Sequence, residues 1–186
     1  MIRKDIIAPP EKTRLSLWKF GVLGLFVFYS FGSRLEYNNS WRFFDGIDLW
    51  VHEAGHFFFM FLGNDFITIA GGTIMQLLVP LIFIFYFYYT GQKFSASLVY
   101  FWLGESILDV AIYMDDAIDR ALPLIGGGIE GHDWHNMLSM LGMLHMAPVL
   151  SDLVQILGIG VIIIGVAEGL RSSRTAVTDG GSSDIY

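Results

Sequence analysis

The sequence HEAGH at residues 52–56 has the residue types and the spacing of a metal site. It lies in an apolar segment, residues 47–62, that is typical of a helix. Positions i and i+4 of a helix lie on one face, so His52 and His56 can bind one ion. Glu53 projects beside them and can take a proton from a water on that ion. The pattern therefore predicts metal-assisted hydrolysis with Glu53 as the general base.

The composition predicts that this motif lies in a membrane. Of the 186 residues, 54% are hydrophobic and only 16% are charged, which is too few to cover a soluble domain with polar surface. The chain has no cysteine, so His, Asp or Glu must hold any transition metal, and Zn²⁺ is the preferred ion. The net charge of −7 argues against a nucleic-acid partner, because neutralising phosphates requires clustered Lys and Arg.

The hydrophobic runs predict an all-α fold, a polytopic membrane bundle of about five to six transmembrane helices. We expect helices over residues 15–31, from Trp41 or Asp45 to Leu62, and over 66–89, 94–114 and 149–170. Pro148 ends a shorter apolar run, 134–147, which is either a short tilted span or a half-helix. The predicted regions are a polar arm (1–14), one transmembrane domain (15–170) and a polar tail (171–186). Residues 115–133 are interpreted as a re-entrant loop, because an aqueous loop does not need their apolar centre.

The basic residues predict an orientation. With six crossings and a cytoplasmic N-terminus, most Lys and Arg residues lie inside, and only Arg34, Arg42 and Lys93 lie outside. We therefore expect an integral membrane protein of the bacterial inner membrane, with both termini in the cytoplasm and the lipid bilayer as its immediate partner.

Residues 50–58, Trp-Val-HEAGH-Phe-Phe, resemble the start of the site-2 protease family of intramembrane zinc metalloproteases. Residues 71–76 are similar to the Gly-Pro-x-x-Asn segment of that family, with Thr73 in place of proline and Gln76 in place of asparagine. The resemblance implies a zinc endopeptidase that cleaves membrane proteins or peptides. It also implies that Gln76 binds the substrate or the developing oxyanion.

The resemblance does not identify the third metal ligand. The family uses an aspartate of an LDG-type motif, and residues 122–133 contain no clean LDG. His132 is the expected ligand, because an imidazole suits zinc and flexible glycines precede it. Asp133 is either an alternative ligand or a carboxylate that orients an imidazole. Further alternatives are Glu130, Asp109, Asp115, Asp116 and His135, whereas His145 is expected to be structural.

Two functions remain open at this point. The first is an intramembrane zinc protease, in which Glu105 and Asp109 line a polar path to the metal. The second is a non-proteolytic accessory subunit of a larger membrane complex, in which the metal site is structural. The two differ in whether Glu53 is needed for chemistry.

Overall fold

The computed structural model describes residues 13–35, 43–125 and 128–176. The helices are α1 (Leu17–Leu35), α2 (Phe43–Phe59), α3 (Asp65–Tyr89), α4 (Lys93–Asp115), α5 (Asp133–Met140) and α6 (Ala147–Ser172). Single 3-10 turns cover Met60–Leu62, Ile129–Gly131 and Leu144–Met146. The strands β1 (Thr13–Leu15) and β2 (Arg174–Ala176) form one short antiparallel pair. Apart from this pair, the regular structure of the described residues is helical, as predicted.

Three helices are long and apolar enough to cross a membrane: α3, α4, and α6 together with the turn before it, Leu144–Ser172. In α1 the apolar stretch is shorter, Leu17–Ser30. The outer faces of α3 and α6 expose large apolar side chains, including Ile82, Phe85 and Leu157. These features fit a membrane protein, whereas the predicted five to six crossings and the predicted re-entrant loop are not confirmed.

Parts of the predicted regions lie outside the described residues. These are residues 1–12 of the polar arm, 36–42 of the first connector, 126–127 of the re-entrant segment and 177–186 of the tail. The tail nevertheless begins with structure, because β2 pairs with β1 and Ser16 donates its N–H to the carbonyl of Ser173 at 3.0 Å.

The predicted short helix over 134–147 is divided in two. α5 ends at Met140, and Gly142 then adopts a left-handed conformation with φ 67°, which favours glycine. α6 starts at Ala147 with Pro148 in its first turn, where a missing N–H leaves no broken hydrogen bond. With eight residues, α5 is about 12 Å long and therefore too short to cross a membrane.

Glycines bring the helix backbones into contact. α4 packs most extensively against α6, where a Cβ at Gly158 would lie 3.1 Å from the carbonyl oxygen of Gly104. α2 packs against α3 in the same way, since a Cβ at Gly71 would lie 2.9 Å from the carbonyl oxygen of Gly55. Only residues without a side chain allow so close an approach. This contact places the HEAGH turn directly against α3.

α1 and α4 run in one direction, and α3 and α6 run in the other. Trp18 lies against Phe94 and Phe26 against Phe101, so α1 is parallel to α4. The beginning of α1, the α3–α4 turn and the end of α6 therefore share one end of the bundle, here called the terminal end. At the opposite end, here called the α5 end, a buried cluster joins α4, α5 and α6: Met114, Ala117, Leu138 and Ala147.

This arrangement differs from the expected alternation of crossings. Lys93 lies at the terminal end, beside Trp18 and Lys19, and not at the end opposite the termini. Arg120 follows α4 and lies towards the α5 end. The difference arises because α2 does not run back along α1. Phe44, at its start, already contacts Phe26 halfway along α1, and α2 continues in the direction of α1 and α4.

Candidate metal centre

Two imidazoles and one carboxylate converge between α2 and α5. The Nε2 atom of His52 lies 2.8 Å from Oδ2 of Asp133, and Nε2 of His56 lies 3.2 Å from the same oxygen. The three donor atoms all lie within 4.8 Å of one another. His52 and Asp133 are buried, and His56 is partly buried. Within the described residues, this is the one group of His, Asp or Glu side chains with the geometry of a metal site.

The helical spacing of HEAGH accounts for the two imidazoles. His52 and His56 are one turn apart on α2, with ring centroids 4.8 Å apart. The absence of a side chain at Gly72 leaves the space that the His52 ring occupies. A larger residue there would displace the imidazole from its position facing Asp133.

Both imidazoles are oriented by hydrogen bonds at Nδ1. His56 Nδ1 lies 2.9 Å from the carbonyl oxygen of Thr68, and His52 Nδ1 lies 3.0 Å from Oε1 of Gln76. These oxygens only accept, so each Nδ1 carries the proton and donates it. Nε2 faces Asp133: in the doubly protonated ring it donates to the carboxylate, and in the neutral ring it presents its lone pair to a metal. This is how metal-binding histidines are usually oriented.

Gln76 extends this network to α4. Its Nε2 donates to Oδ2 of Asp109 at 2.9 Å, so a carboxylate fixes the amide, and the amide in turn fixes the His52 ring. Gln76 is 2% exposed. Both polar groups of its amide are engaged within the protein. The geometry therefore favours a role for Gln76 in positioning the His52 ring. The predicted role, contact with substrate or oxyanion, is less favoured because both amide groups are already hydrogen-bonded.

Asp133 is the first residue of α5, and its backbone is held by α4. The N–H of Asp133 donates to the hydroxyl oxygen of Tyr113 at 3.0 Å. Burial alone would raise the pKa of the Asp133 carboxyl, but the hydrogen bonds of His52 and His56 outweigh it, and the pKa is lowered. The carboxylate is therefore ionised and available to a cation.

His132, the predicted third ligand, is turned away from His52 and His56. Its Nδ1 accepts a hydrogen bond from the N–H of His135, which caps α5, and its Nε2 donates to Oδ2 of Asp116 at 3.3 Å. Burial lowers its pKa against the opposing effect of Asp116. His132 thus joins the start of α5 to the end of α4, and the geometry favours the alternative ligand, Asp133.

Glu53 is half-buried and makes no hydrogen bond or ion pair with any other part of the described chain. It directly follows His52 on α2, so its backbone lies at the site. A carboxylate in this position is available to a water molecule, which is what a general base requires.

The donor set fits zinc. Two nitrogens and one carboxylate oxygen are ordinary zinc ligands, and three protein donors leave a fourth position for water or substrate. In a tetrahedral zinc site the donor atoms are roughly 3.3 Å apart. Here the two nitrogen–oxygen separations are 2.8 and 3.2 Å, and the three donor atoms lie within 4.8 Å of one another. A cation bound there would replace the Nε2 protons that otherwise bind the Asp133 carboxylate.

The other predicted candidates do not join this group. Asp109 contacts Gln76, and Asp116 accepts hydrogen bonds from the loop N–H groups of Ala121 and Leu122. Glu130 and His145 are exposed, as is Asp115. His135 contacts the carbonyl oxygen of Ala117. Glu105, expected to line a polar path, is buried at 1% exposure on α4.

Sequence reasoning missed two residues of the network, Thr68 and Tyr113. Thr68 acts through its carbonyl oxygen, so its side-chain type carries no signal. Tyr113 carried a weak signal, since a tyrosine in an apolar helix usually finds a polar partner for its hydroxyl.

Comparison with protein-family models, with curated proteins and with solved structures finds no match to this chain. The resemblance to the site-2 proteases therefore stays a prediction, based on residues 50–58 and 71–76.

We expect Gln76→Leu to lower the affinity for zinc by about 10- to 100-fold, the usual effect of removing a group that orients a metal ligand. The His52 ring would lose the acceptor at Nδ1 and no longer be fixed. The matched control is Gln155→Leu on the exposed face of α6, which should leave the affinity unchanged. Competition with a zinc chelator measures both. Equal affinities for the two variants would contradict the positioning role.

Proposed function

We propose that this protein is an intramembrane zinc metallopeptidase that hydrolyses peptide bonds of membrane proteins or membrane-associated peptides. One observation supports it most: His52, His56 and Asp133 converge within a bundle of apolar helices, and Glu53 is the neighbour of His52 on α2. Structural zinc sites usually have four protein ligands, whereas three ligands and a neighbouring carboxylate are typical of hydrolytic sites.

The roles of the residues follow from their positions. His52, His56 and Asp133 would hold the ion, and Gln76 keeps the His52 ring in place. Zinc supplies a Lewis acid that polarises a carbonyl group and makes water acidic enough to ionise near neutral pH. Glu53 accepts the proton of the attacking water and passes it to the leaving amine, as a general base and then a general acid.

The proposed site lies nearer to the α5 end of the membrane. Gln76 is roughly 16 Å from the start of α3 at about 1.5 Å per residue, and Thr68 is in its first turn. We propose that α1 crosses alongside α3, α4 and α6, and that α2 with the segment between α4 and α5 forms the half of the bundle that holds the site. Water then needs to reach the site only from the α5 end.

We infer that the terminal end faces the cytoplasm. Its basic residues are Arg14, Lys19, Lys93, Arg171 and Arg174, whereas Arg34 and Arg120 lie towards the α5 end. Basic residues near the ends of membrane helices favour the cytoplasmic side. The termini are then cytoplasmic, in an inner membrane if the protein is bacterial. The site opens on the opposite side of the membrane.

Cysteine labelling tests this orientation, because the natural chain has no cysteine. Asp119→Cys at the α5 end and Gln92→Cys at the terminal end each place one thiol at an exposed position. In intact cells a membrane-impermeant maleimide should label Asp119→Cys, and it should label Gln92→Cys only after permeabilisation. The reverse pattern would contradict the orientation without affecting the proposed chemistry.

Glu53→Gln tests the peptidase activity. The variant should keep its zinc, because Glu53 is not a ligand, and lose activity by about 10²- to 10⁴-fold, because the amide cannot accept a proton. Activity is measured as new protein N-termini in membranes of cells that make the wild type, identified by mass spectrometry. Glu168→Gln at the terminal end is the matched control and should retain activity.

The opposite result would support the accessory-subunit alternative. In that case Glu53→Gln and the wild type would give the same N-termini, while His52→Ala would abolish assembly into a larger membrane complex.

A further inference from the structure

A basic cavity lies at the terminal end, far from the metal centre. It is open to the surface, has a volume of about 400 Å³ and lies between the start of α1, the α3–α4 turn and the end of α6. Its lining includes Trp18, Lys19, Lys93, Phe94 and Ser95, and no acidic residue of the described part of the chain lines it. This is unexpected for a chain in which acidic residues outnumber basic ones, 18 to 11.

Lys19 is held in a fixed position at this cavity. Its ammonium group donates to the carbonyl oxygen of Ser172 at 3.0 Å, and it lies 5.2 Å from the ring centroid of Phe94. An ammonium group has three protons, so others remain to donate to a ligand. The cation–π contact and the hydrogen bond orient the charge before any ligand arrives.

Lys93 adds a second positive charge to the same cavity. It is exposed, and it makes no hydrogen bond or ion pair with the described chain. Lys93 is the first residue of α4. The backbone N–H groups at this helix start have no side-chain cap, so they add to the positive potential of the cavity. Two ammonium groups around one cavity repel each other. A bound anion would remove this repulsion.

The surroundings of the cavity are those of a membrane surface. The candidate spans α3, α4 and α6 all end or begin here, and Trp18 and Tyr89 are largely exposed beside it. Trp and Tyr side chains are enriched at the level of the lipid headgroups. Basic pockets between membrane helices bind the headgroups of anionic lipids. The anion available at this level is therefore a lipid phosphate.

We propose that this cavity binds the phosphate group of an anionic phospholipid, with Lys19 and Lys93 as its cationic ligands and the Trp18 and Phe94 rings against the adjoining glycerol and acyl chains. The lipid would join the start of α1, the α3–α4 turn and the end of α6, and so stabilise the terminal end. This site is independent of the metal centre and of the proposed peptidase activity.

Thermal unfolding in a neutral detergent tests the proposal. Phosphatidylglycerol should raise the unfolding temperature of the wild type in a saturable way, and phosphatidylcholine with the same acyl chains should not. Lys93→Gln should raise the half-saturating concentration about fivefold, the factor expected for one lysine near an anionic surface. Lys19→Gln with Lys93→Gln should raise it further. Arg171→Gln removes a charge at the same end but outside the cavity lining, and should change it less than twofold.

Two results would overturn the proposal. One is an equal response of Lys93→Gln and Arg171→Gln to phosphatidylglycerol. The other is an equal rise in unfolding temperature with inorganic phosphate alone, which would assign the cavity to a free anion. If the double variant does not fold, Lys93→Gln decides, because the exposed Lys93 side chain has no contact that folding requires.

Discussion

The Asp133 carboxylate between two imidazole nitrogens is the interaction on which the rest of the site depends. A buried carboxylate is costly unless cationic or hydrogen-bonded partners surround it. Here one oxygen faces the Nε2 atoms of His52 and His56 at 2.8 and 3.2 Å. The surrounding residues support this contact. Glycines allow α2 to pack closely against α3, and Gln76 and the Thr68 carbonyl orient the two imidazole rings. The Tyr113 hydroxyl accepts a hydrogen bond from the Asp133 backbone. Removing the carboxylate would leave an incomplete ligand set.

The network also links the site to the membrane helices. The chain of contacts runs from Asp133 through His52 and Gln76 to Asp109 on α4, one of the candidate membrane spans. Polar groups within such a bundle are expensive unless they face one another. Their mutual hydrogen bonds join α2, α3 and α4 at the site. The basic cavity at the terminal end lies apart from these residues, so the proposed lipid binding and the proposed metal binding can be tested independently.

The side-by-side placement of His52 and His56 was predictable from the sequence, because i and i+4 geometry needs no knowledge of the fold. The long-range features of the site were not. The choice between His132 and Asp133 did not follow, since adjacent residues at a helix start point in different directions. There His132 caps α5 while Asp133 turns inward. The helix bounds were close, except that Gly142 ends α5 early. The direction of α2 depends on aromatic contacts between Phe44, Phe26 and Trp102, which no periodicity reveals.

Elemental analysis of the purified protein tests the central claim most directly, that His52, His56 and Asp133 hold one metal ion. We predict one zinc per chain in the wild type and loss of most of it in Asp133→Ala. His132→Asn should retain the metal, because asparagine is also a good cap for α5 and His132 does not face the site. Zinc that is lost from His132→Asn and retained in Asp133→Ala would contradict the account.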